Sequence, residues 1–134
     1  MFRMAMLLLC MTMAACSGGK TPTQAAPVGD KAVLESLADQ YNKLSENLPV
    51  SPWHLKASDR KDFVEKVFAA GGYSYSATLH QLAQGGWDPS DQNAKALVNL
   101  MFMPHTDLHA GDGLKGVYSE QEMADVRKIQ KMMP

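Results

Sequence analysis

This chain of 134 residues has no large excess of positive or negative charge, few cysteines and few long apolar runs. The 13 Lys and Arg residues nearly balance the 14 Asp and Glu residues, for a formal net charge of -1. A nucleic-acid binder or a polybasic membrane patch needs a basic surplus, so the even balance argues against both. The 2 cysteines lack the Cys-x-x-Cys-His spacing of a covalently attached haem. The sequence therefore predicts no cofactor of that kind.

The N-terminus has the pattern of a secretory signal, over residues 1–15. Arg3 supplies a positive end, Leu7–Leu9 lies at the centre of a short apolar run, and Ala14-Ala15 ends it. The run is too short to cross the hydrocarbon core, which takes about 20 apolar residues, whereas a cleaved signal has this shape. Cys10 lies inside the run, so cleavage would leave a single cysteine and no intramolecular disulfide.

The residue after this signal is Cys16, and Met13-Ala14-Ala15-Cys16 resembles the lipobox of bacterial lipoproteins. Met13 stands where Leu is usual. The resemblance implies that Cys16 is acylated, becomes the new N-terminus and anchors the protein in a membrane. Ser17 follows it, and by the same resemblance the absence of Asp at that place implies an outer-membrane lipoprotein facing the periplasm or the cell surface. The alternative is an ordinary secretory signal with Cys16 as a free thiol.

The sequence after residue 15 predicts a flexible tether over residues 16–29 and one helical domain over residues 30–134. The tether is rich in Gly, Pro, Ser and Thr and has no periodic apolar signal. Apolar residues make up 46% of the chain, too many for a disordered protein. Five segments carry a helical apolar face or a helix start, and none alternates as a strand; they are 30–48, 58–70, 76–84, 88–103 and 119–133. We expect a compact all-α bundle of four to five short helices.

Several helix starts are marked by capping residues. Asp30 and Ser58 are predicted N-caps, and Asp88 is predicted to cap a helix with Pro89 at its first position. Ser119 and Glu122 form a capping box at the start of the last helix. The apolar run 96–103 predicts that the fourth helix is the central, most buried one.

The longest irregular stretch is predicted at residues 104–118. A loop of this length in so small a domain is often functional, although it can also simply wrap the core. Its polar and amphipathic side chains predict a surface for a protein partner; they are His105, Asp107, His109, Asp112, Lys115 and Tyr118.

A metal site is the alternative for part of this stretch. Thioether and imidazole groups bind copper, the thioether especially as Cu(I), and Met101, Met103, His105 and His109 supply them. Side chains two residues apart on a helix point about 200° apart, which separates the two methionines. Core methionines beside solvated histidines explain the same pattern without a metal.

No catalytic motif is present. Ser74 and Ser76 lie near His80 in sequence, but no nucleophile elbow or paired acid accompanies them. The sequence therefore predicts a non-enzymatic, lipid-anchored envelope protein that binds another protein. At the level of organisation it is similar to secretin pilotins, which grip a channel segment in a groove, and to immunity lipoproteins, which inhibit periplasmic toxins. The long irregular stretch 104–118 favours the inhibitor role.

Overall fold

A computed structural model describes residues 22–106 and 116–133 of the chain. It confirms the predicted all-α bundle: five α-helices and two short 3-10 helices account for its regular structure, and these ranges contain no strand. The helices are α1 (Lys31–Ser45), α2 (Ala57–Ala70), α3 (Tyr75–Gln84), α4 (Gln92–Met101) and α5 (Glu120–Met132). The 3-10 helices are Pro52–His54, before α2, and Met103–Thr106, after α4.

Two of the predicted helix starts are confirmed. The Asp30 carboxylate accepts hydrogen bonds from the first backbone N–H groups of α1. At α5 the capping box is complete, because the Ser119 hydroxyl accepts the Glu122 N–H while the Glu122 carboxylate accepts the Ser119 N–H. Both arrangements satisfy backbone donors that a helix cannot pair internally.

The other two predicted caps are wrong. The N-cap of α4 is Asp91, whose carboxylate accepts the Ala94 N–H at 2.9 Å. Asp88 instead accepts the N–H and the hydroxyl of Ser90, which closes a turn before the helix. At α2 the helix begins at Ala57, so Ser58 already lies inside it. The Asp88 error arises because Asp satisfies turns and helix starts equally well. The Ser58 error arises because the N-cap of α2 is Lys56, whose side chain makes no capping hydrogen bond.

The central helix is α2 rather than α4, which corrects the expectation from the apolar run 96–103. α2 contacts α1, α3 and both 3-10 helices, and it buries Phe63, Val64, Val67 and Phe68. α4 buries its Leu97 face but leaves another face in solvent. The apolar run overstates burial because apolar residues can also lie on the outer face of a helix: Ala96 is exposed and Leu100 is only partly buried.

The folded domain begins before Asp30. Ala26 has no solvent exposure, and its N–H donates to the Thr78 hydroxyl of α3 at 2.9 Å. The Gln24 carbonyl accepts the Ser74 N–H at 2.8 Å. The second half of the segment assigned to the tether therefore packs along α3, through backbone hydrogen bonds that leave no periodic trace in the sequence.

Candidate functional site

An apolar groove of about 530 Å³ lies on the surface between α1 and α4. Its floor consists of Leu34, Ala38 and Tyr41 from α1 and of Ala96 and Leu100 from α4. Polar side chains border this floor, namely Lys31, Glu35, Asn42 and Asn93. An apolar floor with a polar border is the usual form of a surface that recognises a segment of another protein.

The groove exists because α1 is apolar on two adjoining stripes. One stripe holds Val33 and Leu37, which are buried in the core. The second stripe, Leu34, Ala38 and Tyr41, follows the same helical spacing but faces α4 across the surface. Ala38 is exposed, and its small side chain leaves the space between the two helices open.

Aromatic side chains shape the end of the groove at Tyr41. The Tyr41 ring meets Phe63 of α2 edge-on, with 5.2 Å between ring centroids. Burial raises the pKa of the Tyr41 hydroxyl, while a hydrogen bond from the Trp53 side chain opposes that rise. Trp53 itself is stacked by the Arg60 guanidinium, 5.8 Å from its ring centroid. This end of the groove is therefore fixed by contacts to α2 and to the first 3-10 helix.

Two residues predicted as partner contacts, His105 and Tyr118, lie in the core instead. They are 8% and 6% exposed, and their ring centroids lie 6.2 Å apart in an edge-on arrangement. His105 Nε2 lies 2.8 Å from the Gln130 amide nitrogen, and burial lowers its pKa. Burial also raises the pKa of Tyr118 to about 12. Both are amphipathic side chains that cover apolar surface with their rings, which sequence cannot distinguish from surface recognition.

The other predicted contacts lie outside the described residues. These are Asp107, His109, Asp112 and Lys115, together with the proposed lipidation site Cys16. Neighbouring residues on both sides are held by the core: the Arg60 guanidinium donates to the Met103 carbonyl at 3.3 Å, and the Tyr118 hydroxyl lies 3.5 Å from that of Tyr75. The structure therefore places only the two ends of the 104–118 stretch; His105 and Tyr118 are buried there, whereas Gly116 is exposed.

The methionines named for a metal site are core residues. Met101 and Met103 are 0% and 1% exposed, and the Tyr75 hydroxyl donates to the Met101 carbonyl at 2.7 Å. His105 lies one residue beyond Pro104, against Phe102 and Tyr118. Within residues 22–106 and 116–133, no group of three or more His, Cys, Asp or Glu side chains could hold a metal ion.

The structure supplies a paired acid that sequence reasoning missed. His80 Nδ1 on α3 lies 3.3 Å from both carboxylate oxygens of Asp125 on α5, and Asp125 is 1% exposed. One helical turn earlier, the Ser76 hydroxyl donates to Glu122 at 3.0 Å. The partners are far apart in sequence, so only the packing of α3 on α5 reveals them. The Ser76 hydroxyl donates to Glu122 rather than to His80, and His80 Nε2 lies 3.1 Å from the Gln84 amide nitrogen, so these contacts join α3 to α5 without pairing the serine with the histidine.

Among the described residues, no helix combines the length and the apolar character that crossing a bilayer requires. Comparison with known proteins adds no relative: no protein family, no curated protein and no solved structure matches this chain.

Proposed function

We propose that this protein is a lipid-anchored, non-enzymatic component of the bacterial envelope that holds a segment of another protein in the α1–α4 groove. The proposed anchor is an acylated Cys16, and the proposed occupant is an amphipathic helix or an extended apolar segment. Bilayer anchoring concentrates the domain where such a partner passes.

One observation carries this proposal: the groove between α1 and α4 has an apolar floor that is open to solvent. Leu34 and Leu100 are partly exposed on opposite sides of the floor, and Ala38 and Ala96 keep the space between them free. Amphipathic helices bind in grooves of this kind by placing apolar side chains at helical spacing on the floor. The proposal needs no movement of the domain.

Of the two roles expected from sequence, the groove favours the pilotin-like one. A pilotin-like lipoprotein grips a short segment of its partner, which matches a narrow apolar groove. The inhibitor role drew its support from the 104–118 stretch as an exposed surface, and His105 and Tyr118 are buried. No contact among the described residues favours the metal-handling alternative.

The anchor is tested by replacing Cys16 with Ser. We expect the natural protein to sediment with membranes and to incorporate labelled palmitate, and the Cys16→Ser protein to lose both properties. A Cys16→Ser protein that still carries palmitate would contradict the lipobox interpretation.

The groove is tested with the exposed alanines on its floor. Ala38→Glu and Ala96→Glu place a charge where the partner's apolar side chains would lie, without touching the core. We expect both variants to keep the helix content of the natural protein. We also expect them to lose the crosslink that the natural protein forms with its partner in the envelope. Ala32→Glu is the matched control, because Ala32 is an exposed alanine of α1 that does not line the groove. Retention of the partner by both groove variants would refute the proposal.

A further inference from the structure

A recess of about 450 Å³ adjoins one end of the α1–α4 groove, and we name it the Trp87 recess. Its wall includes Gly29, Gly86, Trp87, Asp88, Asp91 and Ala94. The volume lies within the range of about 300–1,000 Å³ that is usual for ligand sites. Asn93 borders the groove whereas the next residue lines the recess, and Lys31 borders the groove whereas Gly29 lines the recess. The two depressions therefore meet where α1 and α4 begin.

Two carboxylates, Asp88 and Asp91, make the Trp87 recess acidic. Oδ1 of Asp88 accepts the N–H and the hydroxyl of Ser90, and Oδ2 of Asp91 accepts the Ala94 N–H. No hydrogen bond from the described residues reaches the second oxygen of either carboxylate. None of the described residues that line the recess is Lys, Arg or His. Each carboxylate can therefore still accept a hydrogen bond from a cation.

Lys95 of α4 leaves the Asp88 carboxylate available. Hydrogen bonds from Ser90 lower the pKa of Asp88, and the charge of Lys95 lowers it further to a smaller extent. Lys95 makes no ion pair within 4 Å in the part of the chain that the structure describes. Asp88 is therefore ionised at neutral pH, and its free oxygen remains open to a second cation.

An aromatic side chain adds a second feature that favours a cation. Trp87 is half-buried, and its indole N–H donates to the Leu82 carbonyl at 2.8 Å, which holds the ring in place. Beside it, a Cβ on Gly86 would meet nothing within 4 Å, so the space next to the ring is open. Aromatic rings attract cations, and a guanidinium group both stacks on a ring and donates to carboxylates. An arginine side chain fits this combination of groups.

We propose that the Trp87 recess receives an arginine side chain of the same partner segment that occupies the α1–α4 groove. This inference rests on the proposed function. A segment that leaves the groove between Lys31 and Asn93 comes directly to the recess, because adjacent residues line the two depressions. The partner is then a protein with an arginine next to its apolar segment: the groove binds the apolar part and the recess binds the charge.

Titration with acetyl-argininamide tests the recess without a partner protein. The chain has 2 tryptophans, so in the full-length Trp53→Phe protein the fluorescence reports on Trp87 alone. We expect acetyl-argininamide to change this emission saturably, and acetyl-citrullinamide, its neutral isostere, to leave it unchanged at the same concentrations. The NMR signal of the Trp87 indole N–H in the natural protein gives the same test if Trp53→Phe does not fold. Equal responses to the two compounds would overturn the proposal.

Asparagine substitutions show whether the two carboxylates bind the cation. Asp88→Asn and Asp91→Asn remove the charge but keep a side-chain oxygen that can accept the turn and capping hydrogen bonds. We expect each to weaken acetyl-argininamide binding about two- to fivefold, the effect of an exposed charge pair. Asp59→Asn is the matched control, because Asp59 lies in the first turn of α2 and does not line the recess. Unchanged binding in both recess variants would overturn the proposal.

The double variant Asp88→Asn/Asp91→Asn separates this inference from the proposed function. With a photoreactive amino acid at position 96, we expect the double variant to keep its helix content and to capture less partner in cells. Undiminished capture would reject only the recess proposal. Absence of capture by the natural protein would reject the groove proposal, and the acetyl-argininamide titration would still decide whether the recess binds a guanidinium group.

Discussion

The Lys61 ammonium group is the most informative single group to remove from the core. Its Nζ lies 3.2 Å from Glu122 Oε1 and 3.3 Å from Glu65 Oε2, and the Lys61 and Glu122 side chains are each 11% exposed. The same ammonium lies over the rings of Tyr75 and Tyr118, at 5.7 and 5.4 Å from their centroids. Lys61→Met keeps the apolar stem and removes the charge, which leaves the Glu122 carboxylate in the core without its cation.

The size of the effect follows from what Glu122 retains. Breaking a fully buried ion pair by removing one partner costs about 3–5 kcal/mol. Glu122 keeps two hydrogen bonds, from the Ser119 N–H and the Ser76 hydroxyl, and some solvent reaches the pair. We therefore expect Lys61→Met to lower the free energy of unfolding by about 2–3 kcal/mol. That is a large share of the about 5–15 kcal/mol available to a typical domain.

Urea unfolding followed by circular dichroism measures this change. Lys66→Met is the matched control: Lys66 pairs with Asp62 at 3.1 Å, but the two side chains are 68% and 62% exposed. An exposed pair contributes at most about 1 kcal/mol, so the control should scarcely change stability. In the background of Glu122→Gln, Lys61→Met should cost about 1–2 kcal/mol less than it costs alone. Equal stability of Lys61→Met and Lys66→Met would refute the reasoning.

Three further predictions concern the core and the N-terminal segment. Burial lowers the pKa of His105, so the folded state binds fewer protons than the unfolded state. The free energy of unfolding should therefore fall as the pH drops from about 6.5 through the lowered pKa of the folded state. Urea unfolding at several pH values should show that His105→Gln reduces this pH dependence. Thr78→Val removes the acceptor of the buried Ala26 N–H and should cost about 1–3 kcal/mol, whereas Thr78→Ser should restore most of it; an unchanged Thr78→Val protein would show that the segment is not packed. Gly29 and Gly86 both have positive φ, 85° and 84°, but a Cβ on Gly29 would lie 3.2 Å from Asp91 Oδ2, whereas one on Gly86 would meet nothing within 4 Å. The melting temperature should therefore fall further for Gly29→Ala than for Gly86→Ala. Equal losses of melting temperature would count against the close contact at Gly29.

The helical fold could be predicted from sequence because each helix carries its own local signals. The helical spacing of α1, the Asp30 cap and the capping box at Ser119 depend only on neighbouring residues. The packing of Ala26 on Thr78 could not be predicted, because its bond joins residues 52 positions apart.

The candidate site was harder to predict for a physical reason. His105 and Tyr118 were predicted as contacts because they carry polar atoms, yet both bury their rings in the core. His105 Nε2 lies beside Gln130 and the Tyr118 hydroxyl beside that of Tyr75, while His105 Nδ1 is buried with no hydrogen-bond partner among the described residues. The groove depends on Ala38 and Ala96, whose small side chains carry no chemical signal. The sequence signal that could have revealed the groove is the second apolar stripe on α1, at Leu34 and Tyr41, beside the stripe that faces the core.

The central claim is that a partner occupies the α1–α4 groove while the protein is anchored in the envelope. Its most direct test is a photoreactive amino acid placed at position 96 of the full-length protein in living cells, with position 32 as the control. The proposal predicts a discrete crosslinked protein from position 96, none from position 32, and loss of that product when Ala38→Glu is added. Equal crosslinking from both positions, or a product that persists with Ala38→Glu, would contradict it.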